Sequence, residues 1–504
     1  MQLQTLLKDI VQYTFDDNRE IKGLSINSRD LKPQMAFLAI KGHQTDGRLF
    51  MKDAIKKKAA VILAEAQGLE QFLDINNAPV PIIPIPDLHK KIGLIAKQFY
   101  QSDIATPITV GITGTNGKST CCFLMIQALH RLKRLGGLIG TLGYGLGVQA
   151  VKSQENTTPD AVTLHRNLSE LTRDGAEVVA MEVSSHGLDQ DRVQGVDFTS
   201  AIFTNLSQDH LDYHPNMDAY LKAKCKLFKM PGLQRVIINE DDPTREKIVN
   251  QVHKDVSIFL YSLSAPKHSR RHYPVNTQFI YAKKYDLTHN GIYAEVVTPW
   301  GEGELRSTLL GDFNLSNLLA VLTELCAQGF SLNKVLTALA SAQGAPGRMQ
   351  RIRRGDLPEV IIDYAHTPDA LAKALATAKQ HCQRRLWCVF GCGGDRDPEK
   401  RMLMGQVAAK YADKVIITND NPRYEKPLKI IEDIMLGIDA NTHQKILIEV
   451  DRKSAIYQAL TRALAVDTIL IAGKGHEETQ DFGHKKVAFN DKQCVEEIFA
   501  KGIL

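Results

Sequence analysis

The stretch Ile108-Thr-Val-Gly-Ile-Thr-Gly-Thr-Asn-Gly-Lys-Ser-Thr120 decides the fold of the middle of this chain. It opens on a β-branched, apolar run at 108–113, which predicts a buried strand. A glycine-rich turn follows, and residues 121–129, Cys-Cys-Phe-Leu-Met-Ile-Gln-Ala-Leu, have the pattern of a helix. Because strand-like and helix-like segments alternate in this way along the chain, we predict an α/β fold with mostly parallel sheets.

The turn Gly114-Thr-Asn-Gly-Lys-Ser-Thr120 has the composition of a phosphate-binding loop. Its glycines let the backbone approach an anion, and the N–H groups at the start of the helix point at it. Lys118 is placed to reach the β- and γ-phosphates, and Ser119 to offer its hydroxyl to Mg²⁺. The generic pattern has a glycine where this chain has Ile112, so the loop is a variant. A chance glycine-rich turn is the alternative, but Gly-Lys-Ser between a strand and a helix favours nucleotide binding.

Working outward, we predict three domains at 1–104, 105–343 and 344–504, since 504 residues exceed what one core holds. One boundary lies where a helical segment ends near 102–107, and the other at the linker Gly344-Ala-Pro-Gly-Arg348. Within the second domain, residues 255–310 are less regular and are interpreted as a strand-rich insertion.

Short apolar runs recur in all three predicted domains. Those of the third domain run into loops rich in Gly, Asp, Asn or His. Open α/β sheets bind ligands at the carboxyl ends of their strands, so these loops predict a binding edge. The runs lie at 35–40, 59–64 and 79–84 in the first domain, at 177–182, 198–203 and 235–239 in the second, and at 360–363, 386–390, 414–418 and 468–472 in the third.

Composition argues against several classes of protein. The net charge is only +5, and one short basic cluster, Lys267-His-Ser-Arg-Arg-His272, stands out, so a nucleic-acid partner is not expected. No signal peptide and no long apolar span occur, so we expect a cytoplasmic protein without a membrane span. We also expect a monomer. The cysteines lack metal-ligand spacing and are expected to be free thiols; they are Cys121, Cys122, Cys225, Cys326, Cys382, Cys388, Cys392 and Cys494.

A phosphate loop alone does not separate a kinase, a GTPase and a ligase. The chain lacks the Asn/Thr-Lys-x-Asp motif that reads guanine, which argues against a GTPase. Other motifs accompany the loop along the whole chain, in the order Glu182-Val-Ser-Ser-His-Gly-Leu188, Thr204-Asn-Leu-Ser-Gln-Asp-His-Leu-Asp212, Gly311-Asp-Phe-Asn-Leu-Ser-Asn317, Gly347-Arg348, Asp363-Tyr-Ala-His366, Gly391-Cys-Gly-Gly-Asp-Arg396, Asp420-Asn-Pro-Arg423 and Gly473-Lys-Gly-His-Glu477.

Together with the loop, these motifs resemble the Mur ligase family of bacterial cell-wall synthesis. The resemblance implies an N-terminal domain that binds a UDP-linked substrate, a central P-loop ATPase domain and a C-terminal Rossmann-like domain that binds an amino acid. It implies ATP and Mg²⁺, and an amide bond made through an acyl-phosphate. Within the family it favours the addition of meso-diaminopimelate to UDP-N-acetylmuramoyl-L-alanyl-D-glutamate.

The resemblance also assigns residues around ATP and metal. Lys118, Lys224, His210 and Arg348 would be catalytic, and Ser119, Glu182, His210 and Lys224 (as a carbamate) would hold Mg²⁺. Without the resemblance, His210 would be interpreted as a loop-capping histidine and Lys224 as a surface lysine, with Lys222 as the competing assignment. The residues expected around ATP are Gly114, Thr115, Asn116, Gly117, Lys118, Ser119, Thr120, Asn314, Arg348, Asp363 and His366.

The two other substrates are assigned in the same way. For the UDP-dipeptide the matching residues are Ile26, Ser28, His43, Gln44, Thr45, Asn156, Thr157, Thr158, Ser184, Gln190 and Arg192. For diaminopimelate they are Arg396, Asp420, Asn421, Pro422, Arg423, Gly473 and Glu477. A guanidinium such as that of Arg423 grips a carboxylate with two hydrogen bonds, and Glu477 is suited to an ammonium. Taken alone, Thr157-Thr-Pro-Asp160 would be interpreted as a helix cap.

Three alternatives stay open at this point. The lysine-adding ligase shares every motif except the basic residue of Asp420-Asn-Pro-Arg423. Folylpolyglutamate synthetase fits poorly at 184–188 and 473–477. A nucleotide-dependent regulator that binds muropeptides without ligating them would not need Lys118, Glu182, His210 and Lys224.

Overall fold

The fold is described from a computed structural model of the chain over residues 1–11, 18–42, 45–72, 77–101, 105–148, 151–154, 156–266 and 273–502. Two compact units are formed: Met1–Tyr261 with His268–Gln278, and Ser262–Lys267 with Phe279–Leu504. Neither predicted domain boundary coincides with this division, so the three sets of bounds stay predictions. His43, Gln44 and the basic cluster at 267–272 lie outside the described residues.

The first unit begins with a four-stranded parallel sheet in the order β1-β2-β3-β4. All three apolar runs predicted for this region form strands, and alternate residues such as Leu38 and Leu63 enter a core shared with helix α3. The small α/β module is therefore confirmed. Its strands are β1 (Gly23–Ser25), β2 (Met35–Ala39), β3 (Val61–Glu65) and β4 (Ile82–Ile85), and its helices are α1 (Leu3–Leu7), α2 (Met51–Lys56) and α3 (Ile92–Gln101).

The same unit continues into a larger sheet in the order β11-β10-β9-β5-β8-β6-β7, parallel except for the pair β6–β7. The four predicted strands are confirmed. Its strands are β5 (Ile108–Thr113), β6 (Gly136–Gly140), β7 (Gly143–Leu146), β8 (Val178–Glu182), β9 (Ser200–Phe203), β10 (Arg235–Asn239) and β11 (Ser257–Ser262). Its helices are α4 (Lys118–Arg131), α5 (Ala161–Arg173), α6 (Ser185–Asp189), α7 (Met217–Cys225) and α8 (Arg245–Val249).

Strand β5 lies between β8 and β9, and all three run in the same direction. Ile112 pairs with Glu182, and Thr113 pairs with Phe203. The chain therefore leaves these strands at one edge of the sheet, where ligands bind in open α/β folds. Strands β6 and β7 were not predicted, because their many glycines have a low intrinsic preference for strands.

The second unit contains the predicted strand-rich insertion as an antiparallel meander, which confirms that prediction. Two helices follow it, and the linker after them, 341–349, has no helix or strand. The strands are β12 (Thr277–Thr288), β13 (Gly291–Thr298) and β14 (Gly301–Ser307), and the helices are α9 (Asp312–Ala327) and α10 (Leu332–Ala340).

A six-stranded sheet in the order β15-β16-β20-β17-β18-β19 completes the second unit. Helices α11 to α13 pack on one face and helices α14 and α15 on the other, so the predicted Rossmann-like arrangement is confirmed. The strands are β15 (Gln350–Ile352), β16 (Glu359–Asp363), β17 (Leu386–Phe390), β18 (Lys414–Ile417), β19 (Ile446–Ile448) and β20 (Thr468–Ala472), with a hairpin of β21 (Thr479–Asp481) and β22 (Lys486–Ala488). The helices are α11 (Pro368–His381), α12 (Glu399–Tyr411), α13 (Pro427–Met435), α14 (Arg452–Arg462) and α15 (Asp491–Ala500).

Strands β16, β20, β17 and β18 are parallel neighbours. Their carboxyl ends therefore open at one edge, and the four loops predicted to bind ligand start there. All eight cysteines are free thiols, as predicted. Over the part of the chain that the structure describes, no helix is long and apolar enough to span a membrane.

Candidate active site

The phosphate loop begins where β5 ends and closes at the first residue of α4. Gly114 has φ +147° and Gly117 has φ +87°, conformations that side-chain-bearing residues rarely adopt. A Cβ on Gly114 would also lie 1.9 Å from Thr204 Oγ1. Ile112 is still inside β5 and fully buried, so the strand simply extends further than in the generic loop. This explains the departure from the generic pattern.

The residues after β9 hold the phosphate loop in place. The amide N–H of Thr115 donates to the carbonyl of Asn205 at 2.8 Å, and that of Asn116 donates to Asn205 Oδ1 at 3.0 Å. Thr204 Oγ1 donates to the carbonyl of Asn116 at 2.5 Å. No role was predicted for Thr204 and Asn205 from the amino-acid sequence. Their position directly after a strand that neighbours β5 is the signal that indicates one.

Lys118 and Lys224 converge on the loop backbone. Lys118 Nζ donates to the carbonyls of Gly114 at 2.9 Å and Thr115 at 2.8 Å. Lys224 Nζ donates to the same carbonyl of Gly114 at 2.9 Å. Two residues that are far apart in the sequence are therefore both at the phosphate loop.

Lys224 is a buried lysine. It is 1 % exposed, and its ammonium lies 4.5 Å from the ring centroid of Tyr220. Burial, with repulsion from Lys118, lowers its pKa well below the ordinary value of a lysine. Lys222, the competing assignment, is exposed on the same helix. The structure therefore supports the choice of Lys224, and the surface-lysine interpretation is wrong.

Ser119 and Glu182 meet at the other side of the loop. Ser119 Oγ donates to Glu182 Oε2 at 2.8 Å, and the backbone N–H of Thr141 donates to Glu182 Oε1 at 2.8 Å. Glu182 is 1 % exposed, and a Cβ on Gly140 would lie 2.2 Å from its Oε1. A glycine at position 140 therefore makes room for this carboxylate at the end of β8.

The oxygen donors of Ser119 and Glu182 suit Mg²⁺, a hard cation that prefers oxygen ligands. His210 is less clearly placed: it has φ +54°, and its side chain is 41 % exposed. Within the described ranges, no group of three or more His, Cys, Asp or Glu side chains is arranged to hold a metal ion. The metal-binding role of His210 therefore stays a prediction.

His210 belongs to a cluster of aromatic rings between α6 and α7. Its ring centroid lies 4.8 Å from that of His186 and 6.0 Å from that of Tyr220. His186 also stacks on Tyr213 at 4.2 Å, and His214 lies 5.1 Å from Tyr220. Burial lowers the pKa of His186 and His214, so these rings are neutral near pH 7.

Several residues predicted to bind the UDP-dipeptide are joined to one another next to Glu182. Thr158 Oγ1 donates to the carbonyl of Glu182 at 3.0 Å and accepts from the N–H of Ser184 at 2.9 Å. Arg192 donates to the carbonyl of Thr158 at 2.9 Å and to Gln190 Oε1 at 2.7 Å. These residues form one polar group beside the phosphate loop.

The other residues predicted to bind the UDP-dipeptide do not share these hydrogen bonds. Thr157 Oγ1 is 3.0 Å from Thr141 Oγ1, which itself bonds to Glu182. The backbone carbonyl of Asn156 accepts a hydrogen bond from Gln154 Nε2 at 2.8 Å. The helix cap is supplied by Asp160, which accepts from the N–H of Thr163 at 3.0 Å, and not by Thr157 or Thr158. Ser28 is buried, Ile26 is partly buried and Thr45 is exposed in the N-terminal module.

In the second unit, Arg348 and His366 flank Tyr364. The guanidinium of Arg348 lies 5.0 Å from the ring centroid of Tyr364, and the His366 ring lies 4.7 Å from it. Asp363, at the end of β16, accepts from the N–H of Met349 at 2.8 Å and that of Ala365 at 2.9 Å. Burial raises its pKa. These predicted nucleotide residues therefore gather where β16 meets the 341–349 linker.

Asn314 lies on the first turn of α9. It is 3 % exposed, and Nδ2 donates to the carbonyl of Leu310 at 2.8 Å. The side chain of Asn317 donates to its Oδ1 at 3.3 Å. Its hydrogen bonds therefore stabilise the start of the helix, and contact with a nucleotide stays a prediction.

The predicted diaminopimelate residues meet at the edge formed by β17, β18 and β20. Asn421 Nδ2 donates to Glu477 Oε2 at 2.8 Å, and Lys474 Nζ donates to the same oxygen at 2.8 Å. Burial alone would raise the pKa of Glu477, but these two donors outweigh it and lower the pKa. Glu477 is therefore ionised at neutral pH, as a residue that holds an ammonium should be.

Arg423 and Arg396 lie around Gly393. A Cβ on Gly393 would be 3.0 Å from Arg423 Nη1 and 3.8 Å from Arg396 Cγ. Arg396 is exposed, whereas Arg423 donates to the carbonyl of Gly394 at 2.6 Å and lies 4.0 Å from Asp481. Arg423 therefore braces this turn, and it also lies where the substrate carboxylate is predicted to bind.

Asp420, Pro422 and Gly473 shape the backbone of that edge. Gly473 has φ +114°, and a Cβ there would lie 2.4 Å from Asp420 Oδ2. Burial raises the pKa of Asp420. The carbonyl of Pro422 would lie 1.9 Å from a Cβ on Gly394. Close packing of the loops after β17, β18 and β20 therefore requires glycine at positions 394 and 473.

The chain was then compared with known proteins. Three family models match it in order: the Mur ligase family catalytic domain at 20–100, the Mur ligase middle domain at 112–325, and the Mur ligase glutamate ligase domain at 347–475. It is 44 % identical, over 94 % of both chains, to a protein of Coxiella burnetii named UDP-N-acetylmuramoyl-L-alanyl-D-glutamate--2,6-diaminopimelate ligase.

Solved structures agree in fold. A structure of UDP-N-acetylmuramoyl-L-alanyl-D-glutamate--2,6-diaminopimelate ligase matches with a TM-score of 0.75 and 32 % identity, over 100 % of this chain and 99 % of the other. The MurF ligase from Thermotoga maritima in complex with ADP matches with a TM-score of 0.60 and 16 % identity, over 95 % and 97 %. The second likeness shows the shared fold alone.

Proposed function

The chain belongs to the Mur ligase family, and on that basis we propose that it joins meso-diaminopimelate to UDP-N-acetylmuramoyl-L-alanyl-D-glutamate with ATP, in the synthesis of the peptidoglycan precursor. One observation favours this amine substrate over lysine. At the edge formed by β17, β18 and β20, Arg396, Arg423 and the backbone carbonyl of Asn421 all lie around Gly393, and the side chain of Asn421 donates to Glu477 at 2.8 Å. Two cations and one anion match an amino acid that carries an extra carboxylate.

The reaction has two chemical steps. A carboxylate oxygen of the dipeptide attacks the γ-phosphorus of ATP, which gives an acyl-phosphate and ADP. The amine of diaminopimelate then attacks the acyl carbon, the C–O bond to phosphate breaks, and the amine proton is released. Since the carboxylate, the acyl-phosphate and the ATP phosphates are all anionic, positioning and charge neutralisation supply most of the catalysis.

Lys118 and the loop amides would act on the ATP phosphates. Lys118 is at the start of α4 beside the loop carbonyls, within reach of a phosphate held by the helix N-terminus. Mg²⁺, when bound, would neutralise phosphate charge. Ser119 and Glu182 are the residues that would hold it, with His210 and the carbamate of Lys224 as further ligands. We also propose nucleotide-binding roles for Arg348, Asp363, His366 and Asn314.

Lys224 is suited to carbamylation because burial favours its neutral amine. The amine nitrogen attacks CO₂, a C–N bond forms, and one proton leaves. The product is an anion with oxygen donors in place of an ammonium. Lys222, exposed on the same helix, has no such environment.

The proposal also covers partners and location. The substrates would be small molecules, with no nucleic acid and with the chain acting as a monomer. A cytoplasmic location fits free cysteines, since thiols persist in reducing compartments. The Thr158–Ser184–Gln190–Arg192 group would contact the UDP-dipeptide beside Glu182.

The test is an assay of the purified enzyme with the UDP-dipeptide, ATP, Mg²⁺ and either meso-diaminopimelate or L-lysine. Phosphate release is followed, and the product is identified by mass spectrometry. We expect turnover only with both the dipeptide and diaminopimelate. Equal use of lysine would favour the lysine-adding ligase. Binding of the dipeptide without phosphate release would favour the regulator.

A further inference from the structure

Lys474 lies in the loop after β20, and its side chain is fully excluded from solvent. Its ammonium has three protons, and they are donated to Asn421 Oδ1 at 3.1 Å, Glu477 Oε2 at 2.8 Å and the carbonyl of Thr479 at 2.8 Å. Because every donor is used inside the protein, this ammonium is not available to a substrate. Burying it would be costly without such partners.

The network fixes the orientation of the Asn421 amide. Its Oδ1 accepts from Lys474 and from the N–H of Asp481 at 2.9 Å, while Nδ2 donates to Glu477 Oε2 at 2.8 Å. Within the described residues, one N–H of Asn421 and Oε1 of Glu477 are left without a hydrogen-bond partner. A donor and an anionic acceptor therefore stand side by side, which is the complement of an amino acid's carboxylate and ammonium.

We propose that Lys474 is a positioning residue for the amino-acid substrate, which holds Asn421 and Glu477 in the one arrangement that presents a donor and an acceptor together. This rests on the proposed function, because Asn421 and Glu477 are expected to contact diaminopimelate. Without the ammonium, the oxygen of the Asn421 amide keeps only one of its two donors, the N–H of Asp481, and the amide is held less firmly. Glu477 also loses its charged donor and gains freedom to rotate.

Further hydrogen bonds hold the backbone at the ends of β18 and β20, next to the Lys474 network. Gln480 donates to the carbonyl of Asp420 at 2.7 Å, and Arg452 donates to the carbonyls of Asn419 at 3.1 Å and Ala472 at 3.0 Å. The backbone on both sides of the Lys474 network is therefore fixed independently of Lys474. Removing the lysine should change the two substrate-facing side chains while leaving the strand ends in place.

The first test is Lys474→Met, which keeps the length of the side chain and removes the charge. Each of the three acceptors then loses its charged donor, and this should raise the KM for diaminopimelate about 10- to 100-fold, with the KM for ATP and the UDP-dipeptide unchanged. Lys379→Met removes a lysine from an ion pair with Asp413 and is the matched control. Val495→Ala, in the core of the same unit, controls for a general loss of stability. If Lys474 only stabilised the fold, Lys474→Met and Val495→Ala would both lower the amount of active enzyme and leave all KM values unchanged. That result would overturn the proposal.

A second variant keeps the proposal testable if Lys474→Met does not fold. Lys474→Met combined with Glu477→Gln leaves no unpaired charge in the protein interior. The double variant is compared with Glu477→Gln alone. Because Lys474 then acts only through Asn421, its removal should raise the KM for diaminopimelate further by less than about 10-fold, with the KM for ATP and the UDP-dipeptide unchanged. A double variant in which the KM for ATP or the UDP-dipeptide also rises would refute a role of Lys474 confined to the amino-acid substrate.

These outcomes are separate from a failure of the proposed function. If the wild-type enzyme does not use diaminopimelate, the proposed function fails before any variant is compared. If the wild-type enzyme uses it and Lys474→Met has the wild-type KM, only the role of Lys474 is refuted.

Discussion

The ammonium of Lys224 and that of Lys118 both donate to the carbonyl oxygen of Gly114, each at 2.9 Å. The buried side of α7 is therefore fastened to the first residue of the phosphate loop. Two cations that share one acceptor repel each other, and this repulsion, added to burial, lowers the pKa of Lys224. The lowered pKa favours the neutral amine of Lys224.

Lys224→Ala should lose most ligase activity, and added formate or acetate should restore part of it by supplying the missing carboxylate. The activity is measured as phosphate release with and without the added acid. The acid is used at about 100 times its dissociation constant, so that a weak site is saturated. Lys222→Ala, two residues away on the exposed side of the same helix, is the control and should keep normal activity. A fully active Lys224→Ala enzyme would refute the carbamate.

Lys118→Ala should abolish ligation while the protein stays folded. Lys118 donates to the carbonyls of Gly114 and Thr115 in the loop itself, so its replacement should mainly remove charge at the phosphates. Circular dichroism checks the fold, and phosphate release checks the activity. Lys247→Ala, at an exposed ion pair with Asp218, serves as the control. Normal turnover by Lys118→Ala would remove the basis for the phosphate-loop assignment.

Arg423→Ala should raise the KM for diaminopimelate by about 30-fold or more, because the substrate carboxylate loses its charged partner. The KM for ATP should change little. Arg423 also braces the carbonyl of Gly394, so thermal unfolding is measured in parallel. Arg462→Ala, exposed at the end of α14, is the control. A lower melting temperature with equal effects on all three substrates would mean that bracing is its only role.

His165 should make the stability of the first unit depend on pH. Burial lowers its pKa from 6.5 to about 4, and its Nε2 lies 2.9 Å from the carbonyl of Gln194. Between these two pKa values the unfolded chain binds a proton that the folded protein does not. The free energy of unfolding is therefore highest above pH 6.5 and falls by up to about 3 kcal/mol toward pH 4.

Urea unfolding of wild type and His165→Gln between pH 7.5 and about 4.5 checks this expectation. Glutamine keeps a donor for the carbonyl of Gln194 and does not titrate, so part of the pH dependence should disappear. His253→Gln, with a side chain that is 71 % exposed, is the control. An identical pH dependence in wild type and His165→Gln would contradict the assignment.

Breaking the buried pair of Arg452 and Asp491 should strongly destabilise the second unit. Both side chains are 0 % exposed, and the two are joined by hydrogen bonds of 2.8 Å. Arg452→Met leaves the carboxylate buried and unpaired, and we expect a loss of about 3–5 kcal/mol in unfolding free energy. The double variant with Asp491→Leu removes both charges and should recover much of that loss. Equal destabilisation in single and double variants would argue against an unpaired charge as the cause.

The strands and the phosphate loop could be predicted because their signals are local. The run at 108–113 is β-branched and apolar, and the glycines at 114 and 117 match the positive φ values observed. Strands β6 and β7 escaped prediction because glycines such as Gly136 and Gly143 carry no side-chain signal. Strand β6 forms because it pairs with β8, and β7 then pairs with β6, so both depend on the folded sheet.

The sequence by itself determined the alternation of strands and helices, the phosphate loop and, through its motifs, the family. Only the tertiary structure decided which polar residues are buried and what they hold. Lys224 lies 110 residues from Gly114, and Asn421 lies 56 residues from Glu477. Such pairs meet because parallel strands deliver their carboxyl ends to one edge. Burial there removes the competing water, which is what lowers the pKa of Lys224 and fixes Asn421 on Lys474.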